Sequence, residues 1–136
     1  MTPRQKQLVQ STFKEITPFA GVAANLFYAR LFELDPYLRR LFKGDLQEQG
    51  QKLMKMLSLA VKGLDRLDEL VPAVRALGER HINYGVQEHH YDTVGAALLW
   101  TLEYSLGPVF TTEVKEAWST VYNLLSEAMQ DVAMAA

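Results

Sequence analysis

Apolar residues recur every three to four positions along almost the whole chain, and no segment sustains an alternation of apolar and polar residues. That period lines side chains along one stripe of an α-helix, whereas a half-buried strand needs a period of two. The stripes run through Gln49, Leu53, Met56, Leu57, Ala60, Val61 and Leu64, and through Leu70, Val74, Leu77 and His81. Two more follow, one through Tyr91, Val94, Leu98 and Leu102, the other through Val114, Ala117, Trp118, Val121, Leu125, Ala128 and Val132. An all-α chain is predicted.

Punctuation between the stripes marks the helix ends. Thr2-Pro3-Arg4-Gln5 has the cap, the first-turn proline and the third-position amide of a helix start, and Thr17-Pro18 repeats the cap and proline at the next boundary. Asp35-Pro36 stops the second helix, because proline drives the residue before it out of helical geometry, and a short helix is expected through Arg40-Leu41. Lys43-Gly44-Asp45 reads as a loop, Gly63 ends the next helix, Tyr84-Gly85 breaks the one carrying His81, and Gly107-Pro108 separates the last two.

The chain has 136 residues, enough for one core and too few for two, so residues 1–136 are expected to form a single domain. A net charge of -2 supplies no field that would gather nucleic acid. No stretch approaches the roughly 20 apolar residues of a membrane span, and the polar start Met1-Thr2-Pro3-Arg4 lacks a secretory leader, which makes cytoplasm the expected compartment. The absence of cysteine excludes disulfides, iron–sulfur clusters and thiolate-held metals, leaving three histidines as the strong nitrogen ligands.

Of these, His81 ends an apolar stripe, where an imidazole faces an interior. A ligating imidazole needs an acceptor on its other nitrogen, and Tyr91 or a helix carbonyl could serve. Gln49 sits one turn before Leu53 on an apolar face, and Tyr28 shares a face with Ala24, Leu31 and Phe32. Each brings a polar group that is costly to bury unpaired, by about 1 to 3 kcal/mol. A small ligand bound between them would satisfy both; otherwise they bond each other or water. Phe42, just past the Pro36 turn, could stack on a macrocycle, and Lys52 and Arg80 could meet its propionates. Together these residues describe the two sides of a haem pocket. His89 and His90 are adjacent, so they are expected to splay apart and lie at the surface, poorly placed to share a metal.

In this order the residues resemble the globins, in particular bacterial single-domain haemoglobins and the globin domain of flavohaemoglobins. The resemblance runs from about Gln7 to Leu125 and rests on Phe27-Tyr28-x-x-Leu31-Phe32, Pro36 with Phe42 six later, Gln49-x-x-x-Leu53, Arg80-His81, and Tyr91-x-x-Val94-Gly95. It implies a globin fold of six to eight helices around haem b, with His81 as the proximal iron ligand and Tyr28 and Gln49 as the distal polar pair. Leu53 would form the apolar distal wall, Phe42 the ring packed on the haem, and Tyr91 and Val94 the proximal side. Flavohaemoglobins add a glutamate late in the last helix, where this chain has Ala135 at the matching place, with Glu127 and Asp131 at other spacings. They also carry a fused reductase, absent up to Ala136, so electrons are expected from a separate reductase.

The resemblance implies binding of molecular oxygen and other diatomic gases at a five-coordinate ferrous iron. A nitric oxide dioxygenase using the same pocket is the alternative. A haem-free globin-like interaction module stands as a third reading, since fold alone does not dictate a cofactor.

Overall fold

The computed structural model describes residues 1–83 and 85–135, and the side chains of these except Leu67, Asn83 and 131–135. Helix α1 covers Pro3–Ile16, α2 Ala20–Leu34, α3 Leu46–Lys62, α4 Leu67–Asn83, α5 Glu88–Leu106 and α6 Thr112–Ala135. Short 3₁₀ turns at Thr17–Phe19, Pro36–Leu41, Leu64–Arg66 and Gly107–Val109 join them, and no strand occurs among the described residues.

The helix starts follow local chemistry. Thr2 accepts the Gln5 N–H while the Gln5 amide takes the Thr2 N–H, closing a capping box at α1. Asp45 caps α3 through the Gln47 N–H, and Asp35 caps the following turn through the Tyr37 N–H. Thr17 behaves otherwise than expected. Its hydroxyl donates back to the Phe13 carbonyl at 3.0 Å, so it ends α1, and α2 begins at Ala20 without a side-chain cap. A 3₁₀ turn uses Pro18 instead. The Gly85 break is present at φ +90, a backbone conformation that favours glycine; Tyr84 lies outside the described residues.

One apolar cluster holds the helices together, from Val9, Phe13 and Ile16 through Phe27 and Leu31 to Leu98, Leu102 and Trp118. Trp118 is 1% exposed, and its indole N–H donates to Thr12 at 2.9 Å, while Thr12 donates onward to the Leu8 carbonyl at 2.6 Å. The buried indole and hydroxyl donors of that α1–α6 contact are thereby paired, which avoids the cost of an orphaned donor in the core.

Three helix crossings are set by glycine. A Cβ at Gly50 would lie 3.0 Å from the Ala24 Cβ, where α3 crosses α2. One at Gly95 would press on the Tyr122 ring at 2.8 Å, where α5 meets α6. One at Gly78 would fall on the main chain of Met129, where α4 packs on α6.

Gly78→Ala should therefore lower stability by about 1–3 kcal/mol, the usual cost of overpacking, because main chain cannot step aside as a flexible side chain can. Gly21 has open space around it, and there alanine should stabilise by roughly half a kcal/mol or more through helix propensity. Urea unfolding of the two variants checks this; equal stabilities would show that α4 can slide on α6 without loss.

Candidate functional site

Helix α4 delivers His81 in its last turn, with the ring partly buried. Nδ1 lies 2.7 Å from the Leu77 carbonyl, one turn back on the same helix. A carbonyl only accepts, so Nδ1 carries the proton and the neutral ring keeps its lone pair on Nε2. Of the two acceptors expected, the helix carbonyl takes the bond. Burial holds the imidazole below its ordinary pKa, and the neighbouring Arg80 adds to this, while the Leu77 carbonyl works the other way. The ring is therefore neutral around pH 7, the form that can ligate a metal.

Tyr91 is buried near the start of α5, and its ring centroid lies 6.5 Å from that of His81 with the planes tilted by 35°. Its phenol is pushed up by burial. The main chain of Tyr91 is held by a residue the sequence reading missed. Tyr122 on α6 donates its hydroxyl to the Tyr91 carbonyl at 2.6 Å while its ring packs against Gly95, one turn along α5. A tyrosine on the same α6 stripe as Trp118 and Val121 looks like core packing, and only the glycine facing it hinted at a closer role. Burial, with Tyr91 and Asp92 nearby, pushes the Tyr122 phenol far up, so it stays a donor.

On another side of the core, α2 and α3 bring Tyr28, Gln49 and Phe42 together. Tyr28 is 5% exposed and sits in an aromatic group, 5.3 Å from Phe42, 6.0 Å from Phe32 and 5.1 Å from Phe27 between ring centroids. Phe42 stands edge-on to both Tyr28 and Phe32. The close approach at Gly50 carries the adjacent Gln49 to the Tyr28 hydroxyl, which donates to the Gln49 main-chain carbonyl at 3.4 Å. An O–H···O bond is ordinarily about 2.7–2.8 Å, so this buried phenol is only weakly satisfied. Burial pushes its pKa up to about 12, with the Gln49 amide pulling partly the other way.

Leu53 points into the core and lines an apolar cavity of about 20 Å³ with Phe27, Leu57, Leu98 and others. Val94 packs half-buried against the same core. Lys52 and Arg80 are exposed, and neither enters an ion pair among the described residues. The side chains of Asp131 and Ala135 lie outside the described residues.

The surface expectation holds for His89, which is exposed, and fails for His90, as does the expectation that the two rings splay apart. His90 is 2% exposed, its Nδ1 accepts the Gln87 N–H at 2.9 Å, and the two rings lie 4.2 Å apart between centroids. Adjacent side chains do diverge within a helix, but α5 begins at Glu88, so both rings sit in its first turn. There His90 bends back to cap the free N–H of Gln87 and is drawn alongside His89.

Residues 25–129 match the family model for globins. A neuroglobin of Danio rerio is 32% identical over 143 residues, covering 95% of this chain and 90% of the relative. The chain belongs to the globin family. A flavohemoprotein of Bordetella parapertussis is 27% identical over 132 residues, and there the match covers 95% of this chain but only 33% of the relative. This globin thus spans about a third of the flavohemoproteins that it matches. Among solved structures, an engineered carbene transferase from Rhodothermus marinus, provisionally named a nitric oxide dioxygenase, superposes with a TM-score of 0.88 at 26% identity, covering 99% of this chain and 95% of that one. Haem binding and diatomic gas ligands are what the family implies for the chain. Its donor set fits that cofactor: a neutral imidazole with Nδ1–H anchored on a carbonyl is the form that offers Nε2 to iron, and the under-satisfied Tyr28 phenol is a donor in want of an acceptor. No described helix is long and apolar enough to cross a membrane.

Ionisation of Tyr28 supplies a test of its burial. An unfolded tyrosine ionises near pH 10 and the folded one near 12, so folding loses stability as pH rises through that interval. Alkaline urea unfolding of the parent and of Tyr28→Phe should show a smaller loss in the variant. Parallel curves would mean that Tyr28 is open to water.

Proposed function

We propose that this globin binds haem b through His81 and holds molecular oxygen or another diatomic gas beside Tyr28 and Gln49. The missing cysteines support type b, since thioether attachment of a haem needs one. The haem iron supplies the reversible bond to the gas. The chain's part is to orient the imidazole through the Leu77 carbonyl, to present hydrogen-bond donors, and to exclude water with Leu53, Phe42 and Val94.

The weak Tyr28 bond carries this reading. Turning a hydroxyl from a 3.4 Å contact toward a polarised gas ligand sacrifices little, whereas breaking a well-formed bond would cancel the gain. With about 1 kcal/mol from each of Tyr28 and Gln49, the pair slows gas release on the order of thirtyfold over an apolar pocket. Lys52 and Arg80 would meet the propionates at the solvent edge. One domain in the cytoplasm completes the reading.

Stopped-flow oxygen dissociation tests it. Tyr28→Phe and Gln49→Leu should each release oxygen roughly fivefold faster, and His81→Ala should lose the Soret band of the ferrous deoxy form. Release as slow as the parent's in both distal variants overturns the distal assignment, and an unchanged spectrum in His81→Ala overturns the proximal one. A purified chain with no Soret band after haem is supplied would favour the interaction-module reading.

Similarity to the flavohemoproteins and to the Rhodothermus marinus protein supports a second reading, a nitric oxide dioxygenase served by a separate reductase. Sustained consumption of nitric oxide by the haem-loaded chain, with an added flavin reductase and a nicotinamide donor, should then exceed one equivalent per haem. Consumption that stops at one equivalent leaves gas binding as the function.

A further inference from the structure

We propose that Asp35, His89 and His90 form a divalent-cation site of the zinc class, joining the end of α2 to the start of α5. One donor atom from each residue lies within 4.8 Å of the other two. For three points no farther apart than this, a position exists within 4.8/√3, about 2.8 Å, of all of them. Zinc sits at 2.0–2.2 Å from imidazole nitrogen and carboxylate oxygen, so side-chain adjustments of under about 1 Å suffice. Two imidazoles and a carboxylate, with a fourth position left to water, form a common zinc donor set. The same imidazoles also favour nickel or copper over magnesium or calcium.

Two of the three side chains are held in place before an ion arrives, and Asp35 remains so after. Asp35 is fixed through the Tyr37 N–H at 3.1 Å, and buried His90 through the Gln87 N–H at 2.9 Å. The His89 ring packs at 4.2 Å from that of His90. Ligation has one cost. A neutral imidazole has one proton for two nitrogens, so His90 cannot bind a metal at one and accept the Gln87 N–H at the other. The cap is exchanged for the metal bond, and Gln87, being exposed, can turn its N–H to water.

Calorimetric titration of the haem-loaded chain with zinc chloride tests the site. The parent should take up one equivalent and melt at a higher temperature with zinc than without, since only the folded chain assembles the donors. His89→Ala removes an exposed ligand and Asp35→Asn keeps a cap for Tyr37, so both should fold and bind at least about tenfold more weakly. Absence of saturable uptake by the parent, or parent-like affinity in either variant, overturns the proposal.

Discussion

The contact of α4 on α6 at Gly78 governs where the candidate iron ligand sits. With main chain against main chain there is no side chain to yield, so the height of α4 over α6 is fixed to within a few tenths of an ångström. His81 follows three positions later, roughly 4.5 Å farther along the axis, and inherits that placement. Glycines also set two further crossings, there against side chains. Gly50 seats α3 on α2 and thereby presents Gln49, its neighbour, to Tyr28; Gly95 seats α5 under Tyr122 and thereby holds Tyr91. Each polar residue of the site thus lies near a crossing that a glycine lets close, against main chain at Gly78 and against side chains at Gly50 and Gly95. A flexible contact there would spend binding free energy on ordering, and a rigid one has met that cost on folding.

Main-chain carbonyls then finish the positioning, and their distances separate anchors from donors in waiting. His81 on Leu77 at 2.7 Å and Tyr122 on the Tyr91 carbonyl at 2.6 Å are full-strength bonds. Tyr28 on the Gln49 carbonyl at 3.4 Å is well short of that. Since a buried hydroxyl without a good partner costs about 1–3 kcal/mol, the fold tolerates a penalty at Tyr28 that it avoids at Thr12 and Trp118. Penalties of this kind gather at sites that a ligand relieves.

Most of the helical framework was legible because it depends on local chemistry. The 3.6-residue stripes, the Thr2 capping box, the Asp35-Pro36 stop and the Gly63 and Gly107 ends all follow from a few neighbouring residues. Tyr28, Gln49 and His81 were legible for a related reason: polar side chains on apolar faces need a partner. What escaped depends on distances the sequence does not display. Thr17 could bond forward as an N-cap or back to Phe13, and the chain's path after Ile16 decided the matter. His90 was taken as a surface residue because helical geometry separates neighbours, yet its free first-turn N–H partner drew it inward. Tyr122 was not singled out, since nothing along one helix reveals that a glycine faces it across another.

In the proposed reading, the partner of the His81 ring bears on the choice between holding a gas and reacting it. An imidazole whose Nδ1–H meets a carboxylate gains anionic character and pushes electron density to a metal at Nε2; one that meets a neutral carbonyl gains less. The Leu77 carbonyl is the neutral kind, and burial already disfavours charge on the His81 ring. Donors on the distal side serve either role, because stabilising a polarised gas both slows its release and prepares it for attack. The imidazole's own partner is what separates the two roles.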